Sequence, residues 1–262
     1  MKKQSGGVAG GVYRAAILTS LLSWLCVAVV AGQERSGALN MSAREPRAAS
    51  NELATCQILY LGFVGALEPP GNKYSGVVQL RDFLKAPQFS DVCAKVYSPY
   101  TWTDGRDWLL SHFPTHAGAL TEAELEEAPK VVLVGHSMGG WAMLCVAREL
   151  RAREIPVELT VQVDSVGITD YTIPRNVKAG AIFHAHDVLM FMTTKNVRLE
   201  DPAKTRLVAN VLVSHAGHES ITRDPRIREL VVHTIEDLQA ARLAKSTERV
   251  GNREKPTSDD RE

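Results

Sequence analysis

The feature that most constrains the fold is a short turn, Gly135-His136-Ser137-Met138-Gly139, between a strand-like and a helix-like segment. Residues 131–134 before it are apolar and mostly β-branched, and residues 141–147 after it are apolar on every face of a helix. Glycines on both sides of a strained central serine let the chain turn without a clash. The pattern is typical of a nucleophile elbow, which holds a serine hydroxyl above a sheet. The alternative is an ordinary glycine-rich turn that binds an anion.

The charge balance of the chain indicates that it does not bind nucleic acid. Lysine and arginine number 30, as do aspartate and glutamate, so the net charge is zero over 262 residues. A nucleic-acid surface needs a basic excess, so we expect no nucleic-acid partner. The hydrophobic share of 45% is ordinary for a globular chain with a substantial core.

The N-terminal 32 residues are expected to be a signal peptide or an N-terminal anchor. Lys2, Lys3 and Arg14 precede an uncharged apolar run over residues 15–31, and small residues follow before Gln33. At 17 residues this run is borderline for spanning a bilayer. Either way we expect an exported chain, which is periplasmic, secreted or membrane-associated through this segment. Residues 33–52 are expected to be a linker, 53–244 the folded domain and 245–262 a disordered charged tail.

Strands and helices alternate through the expected domain. Apolar runs predict six strands, near 58–61, 92–97, 131–134, 157–163, 177–183 and 207–213. Helical patterns separate most of them, and the last helix has Asp224 as its cap and Pro225 in its first turn. The order predicts an α/β fold with a mostly parallel, doubly wound sheet. The stretch between the predicted strands over residues 184–206 has room for a short lid. No stretch between predicted elements is long enough for a separate cap domain.

Two details of this pattern are open to test. Polar residues Glu158, Thr160 and Gln162 alternate along the fourth strand, which predicts a partly bare face. Cys56 and Cys93 each begin a strand, and those strands should be parallel neighbours. The pair therefore forms either a disulfide, in an oxidising compartment, or two free buried thiols.

A serine hydroxyl needs a base, and the base needs an acid that fixes its tautomer. In an elbow architecture the chain order is serine, acid, histidine. The base should follow the last strand, where His218 lies deeper in the loop than the alternative, His215. The acid is Asp164, after the strand that follows the elbow helix, or Asp187, after the next strand.

Two backbone N–H groups should form an oxyanion hole. One is expected from Met138, which follows the nucleophile, and the other from Phe63, with Val64 next, in the glycine-bounded loop after the first strand. The histidines around Asp187 also invite a metal interpretation. No zinc-type spacing completes that set, so we expect no metal.

Over about residues 55–240 the chain resembles the α/β-hydrolase superfamily, at the level of lipases and esterases. Residues 134–140 are similar to the lipase elbow, and Gly217-His218 resembles the histidine loop of the family. Residues 162–166 look like the acid-bearing segment of some lipases, which favours Asp164. Gly62-Phe63 resembles the lipase His-Gly-Phe turn, although Leu61 stands where the histidine would be.

The resemblance implies an exported serine hydrolase that cleaves a carboxylic ester or thioester without a cofactor, through an acyl-serine intermediate. Two alternatives stay open: a non-catalytic binding protein on a hydrolase scaffold, and an acyltransferase with the same triad. The substrate is expected to be a small-molecule or lipid-like ester, since the apolar segment 188–192 should flank the pocket. The sequence does not indicate an oligomeric state.

Overall fold

A six-stranded parallel sheet forms the centre of the protein. The computed structural model describes residues 56–115, 119–166, 171–186 and 197–253, with side chains up to 248. The strands are β1 (Ile58–Phe63), β2 (Val92–Tyr97), β3 (Lys130–His136), β4 (Val157–Val163), β5 (Val177–Ala185) and β6 (Arg206–Val213). Their order is β2-β1-β3-β4-β5-β6, and every pair is parallel. The predicted α/β fold class and all six predicted strands are confirmed.

Helices cover both faces of the sheet. They are α1 (Gly76–Phe83), α2 (Trp102–Leu110), α3 (Glu122–Glu127), α4 (Met138–Ala152) and α5 (Pro225–Arg253). One core cluster buries residues of α1 and α5 against the sheet, and a second buries residues of α2 and α4 against the other face. This arrangement makes the sheet doubly wound, as the sequence predicts.

The strand order places a crevice at one point of the sheet. After β1 the chain crosses to β2 on one side, and after β2 it crosses back to β3 on the other side of β1. Loops that leave the carboxyl ends of β1 and β3 therefore diverge, which opens a crevice where ligands bind in open α/β sheets. Ser137 directly follows β3 and the loop from Val64 directly follows β1, so both border this crevice.

The expectation of a bare polar face on β4 is wrong. Thr160 and Gln162 are both 0% exposed, and Glu158 is half-buried. β4 lies in the interior of the sheet between β3 and β5, and α4 packs against it. Alternation of polar and apolar residues normally marks a solvent-facing strand, but burial by the neighbouring elements overrides it here.

The two candidate cysteines are joined. Cys56 precedes β1, Cys93 lies in the paired strand β2, and a disulfide links them across 5.4 Å between Cα atoms. Cys145 on α4 is a free thiol, and its burial raises its pKa to about 11. A thiol held protonated in this way is a poor nucleophile.

The prediction that the chain is disordered from residue 245 onwards is wrong as far as Arg253, because α5 continues to that residue. Lys245, Glu248, Arg249 and Arg253 in this stretch are good helix formers. Lys245 Nζ also lies 3.4 Å from a carboxylate oxygen of Glu126, which ties the helix to the end of α3. Residues 254–262 lie outside the described residues.

The export expectation concerns residues that the structure does not describe, since 1–32 and the linker 33–52 precede residue 56. Across the described ranges, no helix has the length and the apolar character needed to cross a membrane.

Candidate active site

The turn after β3 has the backbone that its glycines predict. Ser137 has φ 55° and ψ −126°, a left-handed conformation that is uncommon for any residue except glycine. A Cβ on Gly135 would lie 2.4 Å from the carbonyl oxygen of Gly139, and one on Gly140 would collide with the Ser165 side chain. The turn therefore closes only with glycine at these positions.

The geometry brings together three of the predicted residues. His218 Nε2 lies 2.9 Å from Ser137 Oγ, and His218 Nδ1 lies 2.6 Å from Asp164 Oδ2. Both are within hydrogen-bonding distance. The carboxylate can only accept, so we assign the ring hydrogen to Nδ1, which leaves the lone pair of Nε2 to accept the serine hydroxyl hydrogen. This is the arrangement in which an imidazole can remove the proton of a nucleophilic serine.

Backbone hydrogen bonds hold Asp164 at its own N–H and at one carboxylate oxygen. It is 0% exposed, with φ 43°, and its N–H donates to the Phe183 carbonyl at 2.7 Å. Its Oδ1 accepts the Ala185 N–H at 2.9 Å, which leaves Oδ2 for His218. The carboxylate is thus fixed at the carboxyl ends of β4 and β5, where it can orient the imidazole.

The histidine loop is held by short-range bonds. The Gly217 N–H donates to Ser220 Oγ at 2.9 Å, and the Ile221 N–H donates to the Gly217 carbonyl at 3.0 Å. His218 itself has a side chain that is 13% exposed, so solvent reaches the edge of the ring.

The other candidates lie elsewhere. The alternative base, His215, is exposed, and the alternative acid, Asp187, lies outside the described residues. His184 Nε2 contacts Asn210 Oδ1 at 2.8 Å, and His186 is exposed.

The expected second oxyanion donor needs correction. Phe63 is paired with Tyr97 on one side and Gly135 on the other, so its N–H belongs to the sheet ladder. The runner-up, Val64, donates its N–H to the Tyr97 carbonyl at 3.2 Å. The strand simply extends further than the glycine pattern suggested. Met138 begins α4, and the first N–H groups of a helix have no intrahelical partner, so its N–H stays the candidate donor.

The next N–H along the loop belongs to Gly65, which lies beside the nucleophile. A Cβ built on Gly65 would be 3.5 Å from Ser137 Cβ. The Gly65 N–H donates to Glu68 Oε2 at 3.2 Å. A glutamate carboxylate thus lies next to the elbow, and sequence reasoning did not find it.

Glu68 also contacts the histidine of the elbow. Glu68 Oε2 lies 3.3 Å from His136 Nδ1, and their side chains are 7% and 0% exposed. The other ring nitrogen of His136, Nε2, lies 2.9 Å from the backbone carbonyl of His218. The two histidine rings are 4.8 Å apart between centroids. No local sequence pattern predicts this contact, because residues 68 and 136 come together only when β1 and β3 pair.

Burial by itself would raise the pKa of Glu68. The hydrogen bonds from His136 and from the Gly65 N–H outweigh that effect and lower the pKa to about 2. Glu68 is therefore ionised at neutral pH.

Among the described residues, Glu68, His136 and the exposed Glu219 bring three potential metal-ligand atoms within 4.8 Å of one another. The direct contact between Glu68 and His136 accounts for two of them without an ion. The sequence-based metal interpretation covers His184, His186, Asp187, His215 and His218. Of these, His218 lies beside His136, but its ring nitrogens face Asp164 and Ser137.

No protein-family model matches the chain, and no match is found among curated protein sequences. Several solved structures are similar to it, among them the following two. "RedJ with PEG molecule bound in the active site" is 12% identical, with TM-score 0.39, and the match covers 78% of this chain and 98% of that one. "RedJ-Thioesterase from the Prodiginine biosynthetic pathway in Streptomyces coelicolor" is also 12% identical, with TM-score 0.38. That match covers 76% of this chain and 96% of the other chain. A likeness this distant carries no argument about activity.

The fold is therefore assigned from the sheet, the helices and the serine turn of this chain. A parallel sheet of order β2-β1-β3-β4-β5-β6 is covered by helices on both faces. A serine in a left-handed turn connects its third strand to a buried helix. These features together are those of an α/β-hydrolase-type fold.

Proposed function

We propose that this protein is a serine hydrolase that cleaves a carboxylic ester or thioester through an acyl-serine intermediate. The observation that carries the proposal is the continuous chain of contacts from Asp164 through His218 to Ser137, at 2.6 and 2.9 Å. Ser137 is only half-buried, so a substrate can reach its hydroxyl.

In the acylation step, Ser137 Oγ attacks the acyl carbon while its proton moves to His218 Nε2. The buried carboxylate of Asp164 stabilises the imidazolium that forms. We assign the stabilisation of the negative charge on the carbonyl oxygen to the Met138 N–H, because Met138 begins α4 and helix N-termini favour negative charge. The tetrahedral intermediate then collapses, and the alcohol or thiol leaves with the proton from His218.

In the deacylation step, water takes the place of the alcohol or thiol. His218 accepts a proton from the water, whose oxygen attacks the acyl carbon of the acyl-serine. Collapse of the second intermediate releases the carboxylic acid and returns the proton to Ser137 Oγ. No cofactor enters either step.

We also propose that the chain works outside the cytoplasm. The disulfide between Cys56 and Cys93 supports this, because such bonds persist in oxidising compartments. The charged and apolar pattern of residues 1–32 is that of an export segment. Fractionation of cells that express the full chain tests this part of the proposal, and recovery in the cytosol in the reduced form would contradict it.

A series of p-nitrophenyl esters of increasing acyl length, with matched thioesters, tests the activity and ranks the substrates. We expect turnover by the wild type and none above background by Ser137→Ala. Ser246→Ala, an exposed serine on α5, is the matched control and should keep full activity. Addition of an acceptor alcohol separates hydrolysis from acyl transfer, because a transferase would give the new ester as product. A folded wild type that turns over no substrate would favour the non-catalytic scaffold.

A further inference from the structure

We infer that Glu68 and His136 form a buried, hydrogen-bonded pair behind the triad, which positions the loop that carries His218. This role rests on the proposed function, since positioning matters only if His218 acts as the base. The pair reaches that loop through the hydrogen bond from His136 Nε2 to the His218 carbonyl, so we assign the effect to the backbone of the loop.

The two ring nitrogens of His136 both have partners. Its Nε2 faces the carbonyl oxygen of His218 at 2.9 Å, and a carbonyl can only accept, so Nε2 carries a hydrogen. Its Nδ1 faces an oxygen of Glu68 at 3.3 Å. The ring is 0% exposed, so both contacts are shielded from water.

Glu68 fixes the orientation in which His136 donates to the histidine loop. Because Glu68 Oε2 holds Nδ1, the ring keeps its Nε2 on the His218 carbonyl. The His218 carbonyl belongs to the same residue whose ring must stay within reach of Ser137. A firm hold on that carbonyl therefore limits how far the ring can drift from the serine.

Glu68 links three segments that meet at the site. Its carboxylate accepts from Gly65 in the loop after β1 and from His136 at the end of β3. Through His136 it reaches the loop after β6. Asn72 Nδ2 donates to the remaining oxygen, Oε1, at 3.0 Å, which fixes the carboxylate from its other side. One buried carboxylate thus sets the spacing between the elbow and its neighbouring loops.

The titratable groups around His218 come from four segments. Asp164 contacts its ring from the end of β4, and His136 lies beside the ring from the end of β3. Glu68 lies behind His136, and Glu219 is exposed on the loop of His218 itself. Glu68→Gln weakens the contact that orients His136, whereas Glu219→Gln leaves the buried pair intact. These two glutamates therefore make a matched comparison.

The first arm of the test is the exchange of the His136 Nε2 hydrogen with water, measured by nitrogen-15 NMR of the imidazole groups. We expect slow exchange in the wild type, because this hydrogen is buried and bonded to the His218 carbonyl, and faster exchange in Glu68→Gln. Free exchange in the wild type, or equal exchange in the two proteins, would overturn the proposal. This arm needs no substrate, so it holds or fails independently of the proposed hydrolase activity.

The second arm is the rate of covalent labelling by a fluorophosphonate, with p-nitrophenyl acetate turnover beside it. We expect Glu68→Gln to label about tenfold more slowly or worse, the ratio that loss of one charge-assisted hydrogen bond gives. Its kcat should fall while KM changes little, because the Glu68 side chain is only 7% exposed. Glu219→Gln should stay within about twofold of the wild type. Circular dichroism shows whether both variants are folded.

Three outcomes separate the explanations. A folded Glu68→Gln that labels as fast as the wild type would contradict the positioning role. Equal losses in Glu68→Gln and Glu219→Gln, reproduced in the wild type by a chelator, would point to a bound cation and also overturn the proposed pair. A wild type that does not label at all would defeat the proposed function, and the NMR arm would still decide whether Glu68 orients His136.

Discussion

At the scale of single residues, the elbow depends on glycines that leave no room for a Cβ atom. A Cβ on Gly139 would lie 2.5 Å from the carbonyl oxygens of both Phe63 and Val64. Those atoms are backbone at the end of β1, so they cannot swing away as the tip of a side chain could. The close approach of α4 to β1, which places the nucleophile at the crevice, therefore requires glycine at this position.

Gly139→Ala should destabilise the protein. Alanine is the better helix former by about 1 kcal/mol, but overpacking against fixed backbone costs about 1–3 kcal/mol. We expect the second effect to win, with a lower urea midpoint. Gly71→Ala is the control, since a Cβ there meets nothing within 4 Å. An unchanged or higher midpoint for Gly139→Ala would show that β1 and α4 are less closely packed than described.

The acid stability of the protein should carry the signature of Glu68. Its pKa falls from an ordinary 4.5 to about 2 in the folded state. A carboxyl with a lowered folded pKa stabilises the protein above its unfolded pKa, and that contribution is lost as the pH falls toward the folded pKa. We therefore expect the free energy of unfolding of the wild type to drop more steeply between about pH 4.5 and 2 than that of Glu68→Gln.

The control for this pH experiment is Glu219→Gln, whose exposed side chain should leave the steep drop in place. Parallel curves for the wild type and Glu68→Gln, measured by urea unfolding across the same pH range, would be incompatible with an ionised Glu68 bound to His136.

The sequence predicts some of these residues better than others. Ser137, Asp164 and His218 each follow a strand that its apolar pattern reveals, so their meeting at one edge of the sheet follows from the parallel order. The Phe63 prediction failed because it needed the last paired residue of β1, and a glycine pattern does not fix where a ladder ends. Glu68 was missed because its contact with His136 is made only by tertiary pairing.

At the scale of elements, the start of α5 fixes where the histidine loop ends. Asp224 Oδ1 accepts the Arg226 N–H at 3.1 Å, and its carboxylate pairs with the Arg226 guanidinium at 2.7 Å. The side chain of Asp224 is 3% exposed, and Pro225 occupies the first helical position. Both features of this helix start are predictable from sequence, since cap and proline act locally.

Asp224→Ala should cost about 1–2 kcal/mol, as the loss of an N-cap does. Urea unfolding monitored by circular dichroism measures the change. Asp237→Ala, whose side chain is 71% exposed further along α5, is the matched control and should stay within about 0.5 kcal/mol. Equal effects of the two substitutions would mean that Asp224 contributes no cap.

Two other properties of the elements could not be read from the sequence. The polar residues of β4 look solvent-facing until β3, β5 and α4 enclose the strand. The charged end of α5 looks like a tail, since charge alone does not separate a solvated helix from a disordered segment. In both cases the deciding contacts come from elements distant along the chain.

At the scale of the whole molecule, one covalent bond ties an edge strand to the centre of the sheet. β2 is the outermost strand next to β1, and the disulfide from Cys56 to Cys93 joins their starts across a separation of 37 residues. The parallel order of the strands made this pairing geometrically possible from the sequence, although two free thiols fitted equally well.

Reduction should lower the stability of the protein by an amount set by that loop. Closure of about 37 residues is worth about 4 kcal/mol in the chain-entropy model, and measured disulfides often give less. We expect dithiothreitol to lower the urea midpoint of the wild type and to leave the Cys56→Ser/Cys93→Ser double variant unchanged. A wild type that is insensitive to the reductant under unfolding conditions would show that the bond does not stabilise the fold.

The central claim is that Ser137 is a nucleophile activated by His218. Mass spectrometry of the protein after reaction with a fluorophosphonate tests it most directly. We predict one adduct per chain, on the peptide that contains Ser137, with no adduct in Ser137→Ala and much slower labelling in His218→Ala. An adduct that persists at full yield in Ser137→Ala, or a folded wild type that forms none, would contradict the account.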